Sequence, residues 1–196
     1  GRYDALDIIR QNMAYWNISE HKITHVLLTH GHDDHAGSSS WFQSMGAQIY
    51  VGTGDEMNMI TGNFGPESPF TNHVMPPCHP DVCIHEDMDI SVGGLCIHAL
   101  RMPGHTSGSM LYYVMLDKEA VLFSGDMFFA DGETGEAAYT GWKGDMAYDG
   151  LRLLESFQKL WRLQLHPDMV AGGHGIPVVG SHADQIIMLA YKYAML

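Results

Sequence analysis

Four strand-like runs of this chain each end in a turn that presents histidine or aspartate. Residues 23–29 lead into His30-Gly31-His32-Asp33-Asp34-His35, residues 95–102 into Pro103-Gly104-His105, residues 120–124 into Gly125-Asp126, and residues 169–171 into Gly172-Gly173-His174. Strands paired in a sheet bring their ends to one edge. The imidazoles of His30, His32, His35, His105 and His174 and the carboxylates of Asp34 and Asp126 can therefore converge, although most of the chain separates the first from the last. A lone histidine is more often a satisfied core or surface imidazole than a ligand, but this ordered set is not a chance pattern. Zinc takes imidazole nitrogen at about 2.0–2.1 Å, and a catalytic ion uses three protein ligands with one position open. Seven donors over-supply one ion and suffice for two, about 3.5–4 Å apart, sharing a carboxylate and a water that becomes hydroxide near neutral pH. Two zinc ions per chain are the expectation, and iron or manganese accept the same donor types. The chemistry this predicts is hydrolysis.

Composition narrows the substrates. Ten Lys plus Arg against 23 Asp plus Glu leave a net charge of -13, which repels phosphate backbones and anionic membrane surfaces. No nucleic-acid or membrane partner is expected, and a small-molecule substrate is. Hydrophobic residues at 45% and charged residues at 17% of 196 residues provide for a packed core and point to one domain over residues 1–196. Three cysteines, Cys78, Cys83 and Cys96, make no disulfide framework and leave the compartment open, leaning to the cytoplasm. The apolar tail 186–196 falls short of a membrane span.

The elements that must position the seven residues read as alternating helices and strands. Leu6, Ile9, Met13 and Trp16 share a helical stripe, predicting a core-facing helix over 3–16. Strands are expected at 23–29, 48–51, 89–92, 95–101, 110–116, 120–124 and 168–171, with Gly93-Gly94 and Asp117-Lys118 as hairpin turns. Helices are expected at 38–46, 54–61 and 146–163, the last burying Leu151, Leu154, Phe157, Leu160 and Trp161. Ser181 and Asp184 read as a capping box opening a terminal helix. Residues 62–87 read as a long loop. Within it Cys78, His79, Cys83 and His85 are taken as ordinary loop residues, while Tyr139, Trp142 and Lys143 are candidates for substrate contact.

At the His and Asp turns the sequence resembles the metallo-β-lactamase fold superfamily. Its H-x-H-x-D-H signature stands at His30 to His35, and the likeness continues through 103–109, Ser124-Gly125-Asp126 and Gly173-His174-Gly175. The resemblance implies an α/β (α+β) fold, an αββα sandwich of two sheets between helices. It implies one metal held by His30, His32 and His105, a second by Asp34, His35 and His174, Asp126 as the bridge, and Asp34 orienting the nucleophile. True β-lactamases of the family carry Cys or Ser where Asp126 stands, whereas glyoxalase II-like thioesterases, lactonases and phosphodiesterases keep the aspartate. The expected activity is hydrolysis of an ester, thioester, lactone or phosphodiester. The alternatives are β-lactam hydrolysis, an iron-dependent persulfide dioxygenase-like reaction, and a non-catalytic metal-binding remnant. The family fold begins with strands and an Asp-x-Gly turn that are not found before the first helix here, so the first sheet is expected to be missing. Self-association is the corresponding expectation if nothing precedes Gly1.

Overall fold

The computed structural model describes residues 1–62, 75–132 and 134–196. A 3-10 turn at Tyr3–Ala5 runs into α1, Leu6–Tyr15. The expected core-facing stripe is not buried: Leu6, Ile9 and Met13 are half-covered and Trp16 is 71% exposed. The helix meets its neighbours through peripheral contacts, such as Arg10 stacked 5.8 Å from the Trp41 ring.

Next come β1 (His25–Leu27), α2 (Asp33–Ala36), α3 (Ser39–Ser44), β2 (Gln48–Gly52), α4 (Glu56–Thr61) and β3 (Val82–Ile84). The three strands form a parallel sheet in the order β1-β2-β3. A small first sheet is therefore present, built from strands that follow α1, while among the described residues no strand precedes that helix, as expected. The third strand of this sheet lies in the stretch expected to be all loop. Three residues, Val82-Cys83-Ile84, are too few to show periodicity, and they become a strand because the edge of β2 offers them partners at Tyr50, Val51 and Gly52. The part of that loop from 63 to 74 lies outside the described residues.

The second sheet is built from β4 (Met88–Val92), β5 (Leu95–Arg101), β6 (Met110–Leu116), β7 (Glu119–Gly125), β10 (Met169–Gly172) and β11 (Val178–Val179). Its order is β11-β10-β7-β6-β5-β4, antiparallel except where β10 runs parallel to β7. Gly93 and Gly94 join β4 to β5 at φ of 60 and 84, the left-handed pair that a two-residue hairpin turn requires. A ribbon of β8 (Phe129–Ala130) and β9 (Ala138–Tyr139) leaves the end of β7. Helices α5 (Gly150–Leu163) and α6 (His182–Ala194) complete the chain.

Alternation along the strands decides the layers. Met110 and Tyr112 of β6 point between the two sheets, beside Ile84, Ile90 and Ala99. Leu111, one residue away, joins Leu100, Leu122, Leu153, Phe157, Leu160 and Ile186 beneath α5 and α6. On the far side of the small sheet Leu28, Ile49 and Val51 pack on Ala36 and Met59. The result is the helix–sheet–sheet–helix order that the resemblance implies. Each fully buried Leu, Ile or Phe contributes about 1.5–3 kcal/mol to it.

Two helix expectations need correction. Helix α5 starts at Gly150, not 146, because the Asp149 carboxylate accepts from the amides of Leu151 and Arg152 and fixes the N-terminus there. Its buried face is Leu153, Phe157 and Leu160, leaving Leu151 and Trp161 76% and 65% exposed. The capping box at Ser181 does not form: Ser181 already has helical φ and ψ of -61 and -14 and its side chain caps nothing, whereas a cap needs an extended backbone. Among the described residues no helix is long and apolar enough to cross a membrane.

Candidate metal centre

The strand ends meet as the sequence requires. The peptide after β1 is joined to the large sheet by the Met110 amide donating to the Thr29 carbonyl (2.7 Å), and by the Tyr112 hydroxyl donating to the Leu28 carbonyl (2.8 Å). His30 and His32 follow at once, and α2 carries Asp34 and His35. His105 sits in the turn after β5, and Asp126 directly follows β7. Because β10 lies parallel to β7 with Gly172 opposite Gly125, His174 emerges beside Asp126. Gly173 is needed there: a Cβ would stand 2.2 Å from Asp126 Oδ1 and 2.5 Å from His35 Cε1.

All seven predicted residues come together. His32 Nδ1 stands 3.1 Å from His30 Nε2 and 3.2 Å from His105 Nε2. In a second group, Asp34 Oδ2 lies 3.4 Å from His35 Nε2 and 3.3 Å from His174 Nε2. Asp126 lies between the groups, with Oδ1 3.3 Å from His35 Nε2 and Oδ2 3.3 Å from His174 Nε2 and 3.8 Å from His105 Nε2. Ligand atoms arranged tetrahedrally at about 2.0–2.1 Å from one ion stand about 3.3 Å apart, which is the spacing these atoms already have. His35 Nε2 and Asp126 Oδ1 are moreover buried and form no hydrogen bond. Buried polar atoms are rarely left so without a role, and a cation would satisfy both.

The electrostatics divide the cluster. Burial holds His30 well below the ordinary imidazole range and takes His105 down to about 4, so both are neutral donors at pH 7. Burial pushes Asp34 and Asp126 upward, but His174 and His35 outweigh it and hold both carboxylates well below their usual range. The same two carboxylates raise His174 to about 10. They also raise His35, against the downward pull of its burial. Neutral His30 and His105 and the anionic carboxylates of Asp34 and Asp126 can therefore donate to a cation as they stand, whereas His174 has to release its proton to do so.

Supporting residues that the sequence reading missed hold this arrangement. The buried Asp55 carboxylate accepts from the amides of Gly31 and Gly108, both at 2.8 Å, and from the Thr106 hydroxyl at 2.7 Å. It thereby ties the His30–His32 turn to the His105 turn. Asp145 Oδ2 stands 2.7 Å from His32 Nε2. The available signal was the Gly144-Asp145 dipeptide, which repeats Gly125-Asp126 but follows no strand.

Of the candidate substrate contacts, Trp142 lies near His32, with ring centroids 6.4 Å apart. Tyr139 and Lys143 instead pack on Tyr193 of α6. Phe129 meets His174 edge to face at 5.3 Å. Cys78, His79, Cys83 and His85 do not gather: Cys78 donates to Gln43 Oε1, and His85 pairs with Thr53. One further group of metal-competent atoms, Asp89, Cys96 and His98, is exposed on the β4–β5 hairpin.

A family model described as the metallo-beta-lactamase superfamily matches residues 3–174. The chain is similar to a hydroxyacylglutathione hydrolase of Pseudomonas entomophila, 33% identical over 108 residues, which are 55% of this chain and 34% of that protein. The match thus spans about a third of the curated relative's length. Among solved structures it resembles a metallo-beta-lactamase family protein of Thermus thermophilus, with a TM-score of 0.72 and 21% identity over 96% of this chain and 66% of that one. It also resembles a subclass B3 metallo-beta-lactamase of Bradyrhizobium japonicum, with a TM-score of 0.68 and 22% identity over 88% of this chain and 64% of that one. At these identities the structures speak for the fold alone.

Proposed function

Since the chain belongs to the metallo-beta-lactamase superfamily, we propose that it is a dinuclear metallohydrolase, with zinc as the metal, acting on an ester, thioester, lactone or phosphodiester of a small molecule. The observation that carries this reading is Asp126, whose two oxygens face the two histidine groups. His30, His32 and His105 would hold one ion and Asp34, His35 and His174 the other, with Asp126 shared. When bound, such ions supply Lewis acidity, polarising a scissile carbonyl or phosphoryl oxygen and lowering the pKa of water.

The chain's own residues supply the rest. Asp34 keeps an ionised carboxylate and is less buried than Asp126, with side-chain exposures of 23% and 7%. It is therefore the acceptor that can orient an attacking water. Phe129 beside His174 and Trp142 beside His32 provide apolar walls for an acyl group. An aspartate at position 126 and a hydroxyacylglutathione hydrolase among the relatives favour a thioester over a β-lactam.

The test is turnover of aryl ester, thioester and phosphodiester substrates by zinc-loaded protein. Hydrolysis that is lost on chelation and in Asp126→Ala supports the proposal. A metal-replete preparation inert toward every class would make the chain a non-catalytic metal binder.

A further inference from the structure

His32 presents its ring differently from the two imidazoles it meets. His30 and His105 face the cluster with Nε2, whereas His32 faces it with Nδ1. The opposite nitrogen of His32 is 2.7 Å from Asp145 Oδ2, and both side chains are buried, at 2% and 6% exposure. A carboxylate can only accept at that position, so the ring proton sits on Nε2 and the lone pair of Nδ1 points at His30 and His105. The other two rings have no such support: His30 Nδ1 meets only the Thr29 hydroxyl at 3.3 Å, and His105 Nδ1 has no hydrogen-bond partner.

Asp145 is itself held. Its Oδ1 accepts from the Ala147 amide at 2.6 Å. The segment 141–149 is pinned at both ends beside ligands, through the Gly141 amide on the Asp126 carbonyl and the Asp149 amide on the Gly104 carbonyl, each at 2.8 Å. We propose that Asp145 is a positioning residue that locks His32 with its proton on Nε2, so that the His30, His32 and His105 group is built for a metal ion before one arrives. The contact joins residues 113 apart in sequence. The 141–149 segment is thus a strap whose seating and the capture of that one ion depend on the same hydrogen bond.

This inference rests on the dinuclear reading, and the experiment separates the two. Zinc(II) is titrated against a chromogenic chelator in the Cys96→Ser background, which disables the exposed Asp89, Cys96 and His98 group. Loss of an outer partner of a metal-ligating histidine costs about 10–100-fold in affinity. Asp145→Ala is therefore expected to weaken one of two ions by that factor and leave the other at its original affinity. Asp145→Asn, whose carbonyl still accepts from Nε2–H, is expected to recover part of the loss. A merely structural role would lower thermal stability without separating the two ions.

Folded Asp145→Ala protein that binds both ions as tightly as the parent overturns the inference. If Asp145→Ala does not fold, Asp145→Leu, which keeps the bulk but cannot accept from Nε2–H, decides: one ion selectively weakened supports the lock, and two unchanged affinities overturn it. A parent that never binds two ions defeats the dinuclear reading itself.

Discussion

Asp126 joins the two halves of the cluster, because its two oxygens face imidazoles of different groups. Replacing it by Ala should reduce bound metal by at least one ion per chain. His79→Ala should leave the metal content unchanged, since only the backbone carbonyl of that residue is engaged, by the Gln43 amide. Elemental analysis of the two purified variants makes the comparison. The three thiols are expected to differ as well. Burial raises the Cys78 thiol to about 11, so at pH 8 it stays protonated and inert, while exposed Cys96 is accessible. Iodoacetamide labelling read by peptide mass should modify Cys96 first and Cys78 last, and the reverse order would contradict the packing around α4. The seven cluster residues were legible in the sequence because ligands of this kind must be His or Asp and must follow strands. Asp55 and Asp145 were not, because a carboxylate that braces a ligand has no spacing rule and is recognised only by what it touches.

At the scale of elements, two caps that look alike in sequence should behave oppositely. Asp149→Ala removes a side chain that satisfies two amides at the start of α5 and should cost about 1 kcal/mol. Ser181→Ala removes no bond and should cost nearly nothing. Urea denaturation of both variants tests this. A larger loss is expected for Asp55→Ala, which strands the buried amides of Gly31 and Gly108 at about 1–3 kcal/mol each. The β4–β5 hairpin could be read ahead of the structure because two adjacent glycines leave the chain one favourable turn. Strands β8, β9 and β11 could not, since two residues carry no period and their pairing is set by neighbours distant in sequence. In α5 the spacing admitted more than one apolar stripe. Only the Asp149 cap and the sheet beneath decide that Leu153, rather than Leu151, turns inward.

Across the whole molecule, the two sheets and their flanking helices exist to hold four strand ends at one edge, so core packing and site geometry are expected to fail together. Phe157 is 3% exposed and packs on Phe128 at 5.7 Å and on Tyr191 at 5.6 Å. Phe157→Ala should cost about 3–5 kcal/mol. Metal should in turn stabilise the fold, because ions that bind only the assembled ligands favour the folded state. A melting temperature that does not fall on chelation would contradict that linkage. The αββα order was foreseeable from the resemblance at the His and Asp turns, while the apolar patterning by itself gave only alternating helices and strands. The small parallel sheet was underestimated because its strands are short and β3 is hidden in a long polar stretch. The central claim is that His30, His32, Asp34, His35, His105, Asp126 and His174 form one dinuclear centre. Its most direct test is the metal content of zinc-saturated Cys96→Ser protein after gel filtration. The account predicts two ions per chain in that protein and at most one in its Asp126→Ala derivative. One ion or none in the parent, or two retained without Asp126, would contradict it.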